Sequence, residues 1–113
     1  GNLLRDFTFI DDIINGILSV LEKQKAEEPP VLMNIGNHNP VTVNTLISEI
    51  EQAVGRKAVT KHLPMQPGDV EKTYADISLI NAYCGFKPVT GLKTGIQKFC
   101  EWYLGYFTNF HNE

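Results

Sequence analysis

The chain has 113 residues and a formal net charge of −3, which fits one domain with a single modest core. Its 42% hydrophobic and 20% charged content is ordinary for a soluble globular chain. The lysines are scattered rather than gathered into a stripe, so neither nucleic acid nor an anionic membrane is an expected partner.

From the N-terminus, Arg5 to Phe9 alternates polar and aromatic residues and predicts a short strand. Asp11 or Asp12 follows as the expected N-cap of a first helix, with Ile13, Ile14, Ile17, Leu18 and Leu21 marking its apolar face. The polar stretch from Glu22 to Glu28 ends in Pro29-Pro30 and predicts a surface connection, since proline cannot continue a helix. Val31 to Ile35 is an apolar run with a single Asn34, the pattern of a buried strand. Gly36-Asn37-His38-Asn39-Pro40 then turns the chain. Thr42 is the expected cap of a second helix, whose apolar positions Val43, Leu46, Ile47, Ile50 and Val54 keep helical spacing until Gly55 stops it. Lys57 to Leu63 predicts an exposed strand and Thr73 to Ala75 another. Asp76 is the expected cap of a brief helix ending at Gly85. Thr90 opens the last helix, with Leu92, Ile96, Phe99, Cys100, Tyr103 and Phe107 on one face. Residues 108 to 113 form the expected frayed tail.

These elements define a mixed α/β (α+β) chain of four helices and three or four short strands. A dinucleotide site requires a glycine-rich strand-to-helix turn, where pyrophosphate meets backbone N–H groups. No such run occurs, so no complete Rossmann domain and no cofactor site is expected in this chain. Cys84 and Cys100 are too few for a disulfide framework and are expected to be buried free thiols in a reducing cytoplasm. His38, His62 and His111 lack ligand spacing, and no metal site is expected. No apolar run approaches membrane-spanning length, and the first residues resemble neither a signal peptide nor a lipidation signal; the expected location is the cytoplasm.

Several residues invite a functional reading. On local sequence alone Arg5 is a solvated partner of Asp6, and Gln66 to Asp69 is a tight Pro-Gly surface turn. Asp11 and Asp12 are a helix cap and a dipole partner rather than an acid-base pair. The aromatic series Phe99, Trp102, Tyr103, Tyr106 and Phe107 has helical spacing and is expected to pack in the core rather than form a stacking platform. Tyr83-Cys84-Gly85-Phe86-Lys87 has the spacing of a catalytic Tyr-x-x-x-Lys pair. Gly85 as a helix stop and Pro88 after Lys87 should keep the two off one helical face, so no catalytic residue is expected.

Leu63-Pro-Met-Gln-Pro-Gly-Asp-Val70 with Thr73-Tyr74-Ala75-Asp76, taken together with Arg5-Asp6-Phe7-Thr8-Phe9-Ile10-Asp11-Asp12, resembles the C-terminal part of NAD-dependent nucleotide-sugar epimerases of the extended short-chain dehydrogenase/reductase family. The resemblance runs from about Arg5 to Phe107 and is nearest to the UDP-glucuronate 4-epimerases, from whose pattern Leu4 departs where a second basic residue is often found. It implies that residues 1–107 form the C-terminal substrate-binding lobe, with Val31 to Ile35 at the edge of a parallel sheet belonging to a nucleotide-binding domain outside this sequence. It also implies that Arg5 contacts the diphosphate of a UDP-sugar, that Asp69 hydrogen-bonds the ribose, and that Gln66 stands where UDP-galactose 4-epimerases carry an arginine. NAD would be bound by the full-length parent. The implied parent activity is interconversion of UDP-glucuronate and UDP-galacturonate for surface polysaccharide precursors. The chain alone would bind UDP-sugar weakly, lack turnover and self-associate through its unfinished side. The alternatives are a non-catalytic nucleotide-sugar-binding or interaction module from a truncated gene, and the corresponding lobe of a sugar-nucleotide dehydratase or decarboxylase.

Overall fold

The computed structural model describes residues 1–109. Among the described residues there are four helices and two very short strands, in the order β1 (Leu4–Arg5), α1 (Ile10–Lys23), β2 (Val41–Thr42), α2 (Val43–Val54), α3 (Ser78–Cys84) and α4 (Leu92–Asn109). The strands β1 and β2 pair antiparallel, Leu4 opposite Thr42 and Arg5 opposite Val41. A parallel bridge joins Leu4 to Lys72 on the other side. Its rails are hydrogen bonds from Leu4 N–H to Glu71 O at 2.9 Å and from Thr73 N–H to Leu4 O at 3.0 Å.

Where a helix boundary is set by adjacent residues, the chain follows its local chemistry. The Thr42 hydroxyl accepts from Thr45 N–H at 3.0 Å and caps α2, which ends at Gly55 with φ 67°. At α3 the stop is as expected, Gly85 with φ 74°, but the N-cap position is Ile77 with no side-chain cap, one residue after the expected Asp76, whose carboxylate accepts from Ser78 N–H at 2.9 Å. Lys87 therefore lies beyond the helix that carries Tyr83, and the two share no helical face.

Other expectations are corrected. The helix α1 starts at Ile10, ahead of both aspartates, with Phe9 as its N-cap residue and no side-chain cap. Asp12 is instead buried, 2% exposed, and its carboxylate accepts from Val89 N–H at 3.2 Å, Thr90 N–H at 2.9 Å and Thr90 Oγ1–H at 3.2 Å. It ties α1 to the entry of α4, and Thr90, two residues before α4, spends its hydroxyl there. The face that α1 turns inward carries Asp12 and Gly16. Ile14, Ile17, Leu18 and Leu21 are exposed. A Cβ on Gly16 would lie 2.4 Å from Ile35 Cδ1 and 3.0 Å from the Phe86 ring, so the missing side chain lets α1 sit directly on those two residues.

Val31 to Ile35 has no ladder partner among the described residues, and neither has Lys57 to Leu63. A strand exists only where another supplies its hydrogen bonds, which explains why the apolar pattern alone does not make one here. Leu32 is 92% exposed. The aromatic series of α4 is likewise outside the core: Phe99, Trp102, Tyr103, Tyr106 and Phe107 are all exposed and stack on one another, as in the Trp102–Tyr106 pair at 5.6 Å. Thr108 belongs to α4, and residues 110–113 of the expected tail, with His111, lie outside the described residues.

Among the described residues the buried apolar core consists of Ile80, Phe86 and Cys100. The accessible surface is 8749 Å², against about 6,200 Å² for a closed monomer of this mass. The radius of gyration is 17.5 Å, against roughly 13 Å for a compact domain of this length. Both quantities describe an open fold whose apolar faces exceed what the chain itself covers.

Candidate functional site

The bridge at Leu4 and Lys72 places Arg5 beside the segment that leaves the Pro-Gly turn. Gln66 O accepts from Asp69 N–H at 3.1 Å to close that turn, and Gly68 holds φ 92° at its tip, a conformation that glycine adopts without steric cost. Asp69 lies two residues ahead of Glu71, whose carbonyl is bonded to Leu4 N–H. The structure thus joins the two segments through their backbones, with no hydrogen bond among the side chains of Arg5, Gln66 and Asp69 in the described residues.

Arg5 does not pair with Asp6. Its Nη1 donates to Leu4 O at 2.9 Å, and among the described residues no carboxylate lies within 4.0 Å of its guanidinium. The Asp6 carboxylate is committed elsewhere: Oδ2 accepts from His38 N–H at 3.1 Å and Ala75 N–H at 3.0 Å, and Oδ1 from Asn39 N–H at 3.2 Å. A carboxylate held by backbone N–H groups leaves its arginine neighbour available to a planar anion. An open cleft of about 620 Å³ is lined by Leu3, Leu4, Leu63, Met65, Glu71 and Lys72, and not by Arg5, Gln66 or Asp69. A more apolar hollow of about 280 Å³, bounded by Phe9, Leu46, Ile96 and Phe99, has no charged side chain in its lining.

His38 and Tyr74 were not singled out by their sequence spacing. His38 sits at φ 57°, and its Nδ1 is 2.7 Å from Ala75 O. A carbonyl oxygen only accepts, so Nδ1 carries the proton. In the neutral ring, Nε2 then accepts from the Tyr74 hydroxyl at 2.8 Å. Lys72 Nζ lies 5.2 Å from the Tyr74 ring centroid, within cation–π range. The Tyr83 hydroxyl donates to Glu28 at 3.0 Å; partial burial first, then this carboxylate, push its phenol above the ordinary value. A catalytic tyrosine base needs the opposite shift.

Among the described residues no group of three His, Cys, Asp or Glu is placed to hold a metal ion, and no helix is long and apolar enough to cross a membrane.

The described residues form a lobe of helices around a minimal two-stranded sheet, with Arg5 next to the Leu4–Lys72 bridge. Comparison with known proteins gives the family. The chain is 42% identical over 104 residues to an uncharacterized protein of Methanocaldococcus jannaschii, covering 92% of this chain and 31% of that one. It is 40% identical over 119 residues to UDP-glucuronate 4-epimerase 5 of Arabidopsis thaliana, covering 96% of this chain and 27% of the plant protein. The crystal structure of UDP-glucuronic acid 4-epimerase from Bacillus cereus, in complex with UDP-glucuronic acid and NAD, superposes with a TM-score of 0.76 at 34% identity, over 86% of this chain and 31% of that one. No family model matches the chain. The chain belongs to the NAD-dependent nucleotide-sugar epimerases and matches their C-terminal lobe, with UDP-glucuronate 4-epimerases among its relatives. It spans about a third of the length of the curated relatives it matches.

Proposed function

We propose that residues 1–107 are the substrate-binding lobe of a UDP-sugar 4-epimerase that interconverts UDP-glucuronate and UDP-galacturonate in the cytoplasm, supplying precursors of surface polysaccharide. The observation that carries this reading is the guanidinium of Arg5, which has no carboxylate partner among the described residues and follows the Leu4–Lys72 bridge to the segment from Asp69. Arg5 grips the diphosphate in bidentate fashion. Asp69 accepts hydrogen bonds from the vicinal ribose hydroxyls. Gln66 contributes a neutral amide, leaving Arg5 the main positive charge at this wall of the site. The relatives' names and the ligands of the Bacillus cereus structure support the acidic UDP-sugar as substrate.

In a full-length parent NAD would supply the hydride chemistry at the sugar. The residues of this chain do not fit NAD, because none of its helices starts from a glycine-rich fingerprint. The share of this chain is therefore to hold and orient the nucleotide, which fixes the reacting geometry elsewhere. Adding NAD and UDP-glucuronate to the chain and following UDP-galacturonate by chromatography should give no product. Turnover that survives repurification would contradict the assignment of the chemistry to another part of the parent.

In that parent, the apolar face of α1 and the open segment Val31 to Ile35 pack against the nucleotide-binding domain. In the isolated chain a second copy covers them, since exposed Leu32 together with exposed Ile14, Ile17 and Leu18 favours association.

A further inference from the structure

Arg5 lies between two residues that are both fixed to the segment descending from the Pro-Gly turn. On one side, Leu4 bonds Glu71 and Thr73 through its N–H and carbonyl at 2.9 and 3.0 Å. On the other, Asp6 N–H donates to Thr73 Oγ1 at 3.0 Å, and the Asp6 carboxylate collects the N–H groups of His38, Asn39 and Ala75. The ring closes on itself, because His38 Nδ1–H donates to the carbonyl of Ala75. Gly36 makes the approach possible: a Cβ there would lie 2.5 Å from Ala75 Cβ and 3.0 Å from Asp6 Oδ2. Three segments distant in sequence, 4–8, 36–39 and 73–75, thus meet at one carboxylate.

We infer that Asp6 is a positioning residue for the nucleotide grip, holding Arg5 in register with the Gln66–Asp69 turn while its own charge is absorbed by backbone N–H groups. The residue type is dictated by the donors. An ionised carboxylate offers two oxygens that only accept, and it faces three N–H groups. Asparagine would replace one oxygen with an NH₂ that meets a donor head-on. Glutamate would carry the acceptors one methylene beyond the place where Gly36 has opened the space. With these N–H groups satisfied, Asp6 does not compete with a diphosphate for the guanidinium next to it.

The inference rests on the reading of Arg5 as the diphosphate contact, and one experiment separates the two. UDP is titrated into the chain, with affinity followed at the Asp69 amide resonance, for wild type, Asp6→Asn, Arg5→Ala and the double variant. If Asp6 acts through Arg5, Asp6→Asn weakens UDP binding about fivefold, on the scale of one hydrogen bond to a charged group partly transmitted. The double variant then binds no more weakly than Arg5→Ala. Wild-type affinity in Asp6→Asn, or losses that multiply in the double variant, would overturn the positioning role. An Arg5→Ala chain that binds UDP as well as wild type would remove the underlying site reading and the inference with it. Thr73→Val covers the case in which Asp6→Asn does not fold, since it deletes only the hydroxyl that accepts from Asp6 N–H. It should weaken UDP binding about twofold, an effect that disappears in the Arg5→Ala background. An unchanged affinity in Thr73→Val would count against the inference.

Discussion

Asp12 holds Thr90 twice, accepting from its backbone N–H at 2.9 Å and from its hydroxyl at 3.2 Å, across 78 positions of sequence. With Val89 N–H as a third donor, this buried carboxylate fastens α1 to the start of α4. Asp12→Ala leaves two part-buried backbone donors without their acceptor and should destabilise the fold by about 1–3 kcal/mol. Asp12→Asn keeps one acceptor oxygen and should cost less. Urea unfolding followed by circular dichroism measures both.

Gly16 permits the close packing of α1 on Ile35 and Phe86. Gly16→Ala should destabilise by about 1–3 kcal/mol despite the higher helix propensity of alanine, because the new methyl overlaps a packed neighbour. The nearest overlap is with Ile35 Cδ1, so Ile35→Val should recover part of the loss. The double-mutant cycle, read from the same unfolding curves, should give a favourable coupling between the two changes.

Local signals were legible and tertiary uses were not. Thr42 and Gly55 bound α2 and Gly85 ends α3 as their residue types predict, because caps and left-handed stops are decided by residues a few positions away, whereas the N-cap position of α3 is Ile77 and not Asp76. The start of α1 was misplaced because two aspartates in a row look like a cap. Nothing local reveals that Asp12 is required by residues 89 and 90. The aromatic periodicity of α4 marked one apolar face correctly, but periodicity does not say whether the chain can cover that face. Arg5 and the Pro-Gly turn were legible as motifs. The node at Asp6 and the His38–Tyr74 hydrogen bond were not, since they join positions at least 32 residues apart.

The Tyr83 phenol should titrate above its ordinary value of 10.0, because partial burial and the Glu28 carboxylate both oppose its ionisation. A raised value in the folded state stabilises the fold below the ordinary tyrosine pKa, and this contribution is lost as pH rises through the folded-state value. Difference absorbance between wild type and Tyr83→Phe, recorded through the alkaline range, isolates this one phenolate. A midpoint below 10.0 would be at odds with the hydrogen bond to Glu28.

Self-association of the isolated chain should depend on the exposed face of α1 and the open segment beside it. Light scattering coupled to gel filtration over a concentration series should show a mass that rises with concentration. Placing like charges on that face with Ile17→Lys and Leu32→Lys should return the chain to monomer, since both side chains are exposed, Leu32 at 92%. A wild-type chain that stays monomeric at high concentration would contradict this.

The central claim is that this lobe carries the nucleotide side of a UDP-sugar site, and a chemical-shift titration with UDP tests it most directly. Affinity should be no tighter than roughly millimolar, because an open wall buries only part of its ligand. The largest amide shifts should fall at Arg5, Gln66 and Asp69, with smaller changes along the 71–75 segment that the Leu4 bridge couples to them. Shifts confined to the aromatic face of α4, with Arg5 and Asp69 unmoved at saturation, would contradict the account.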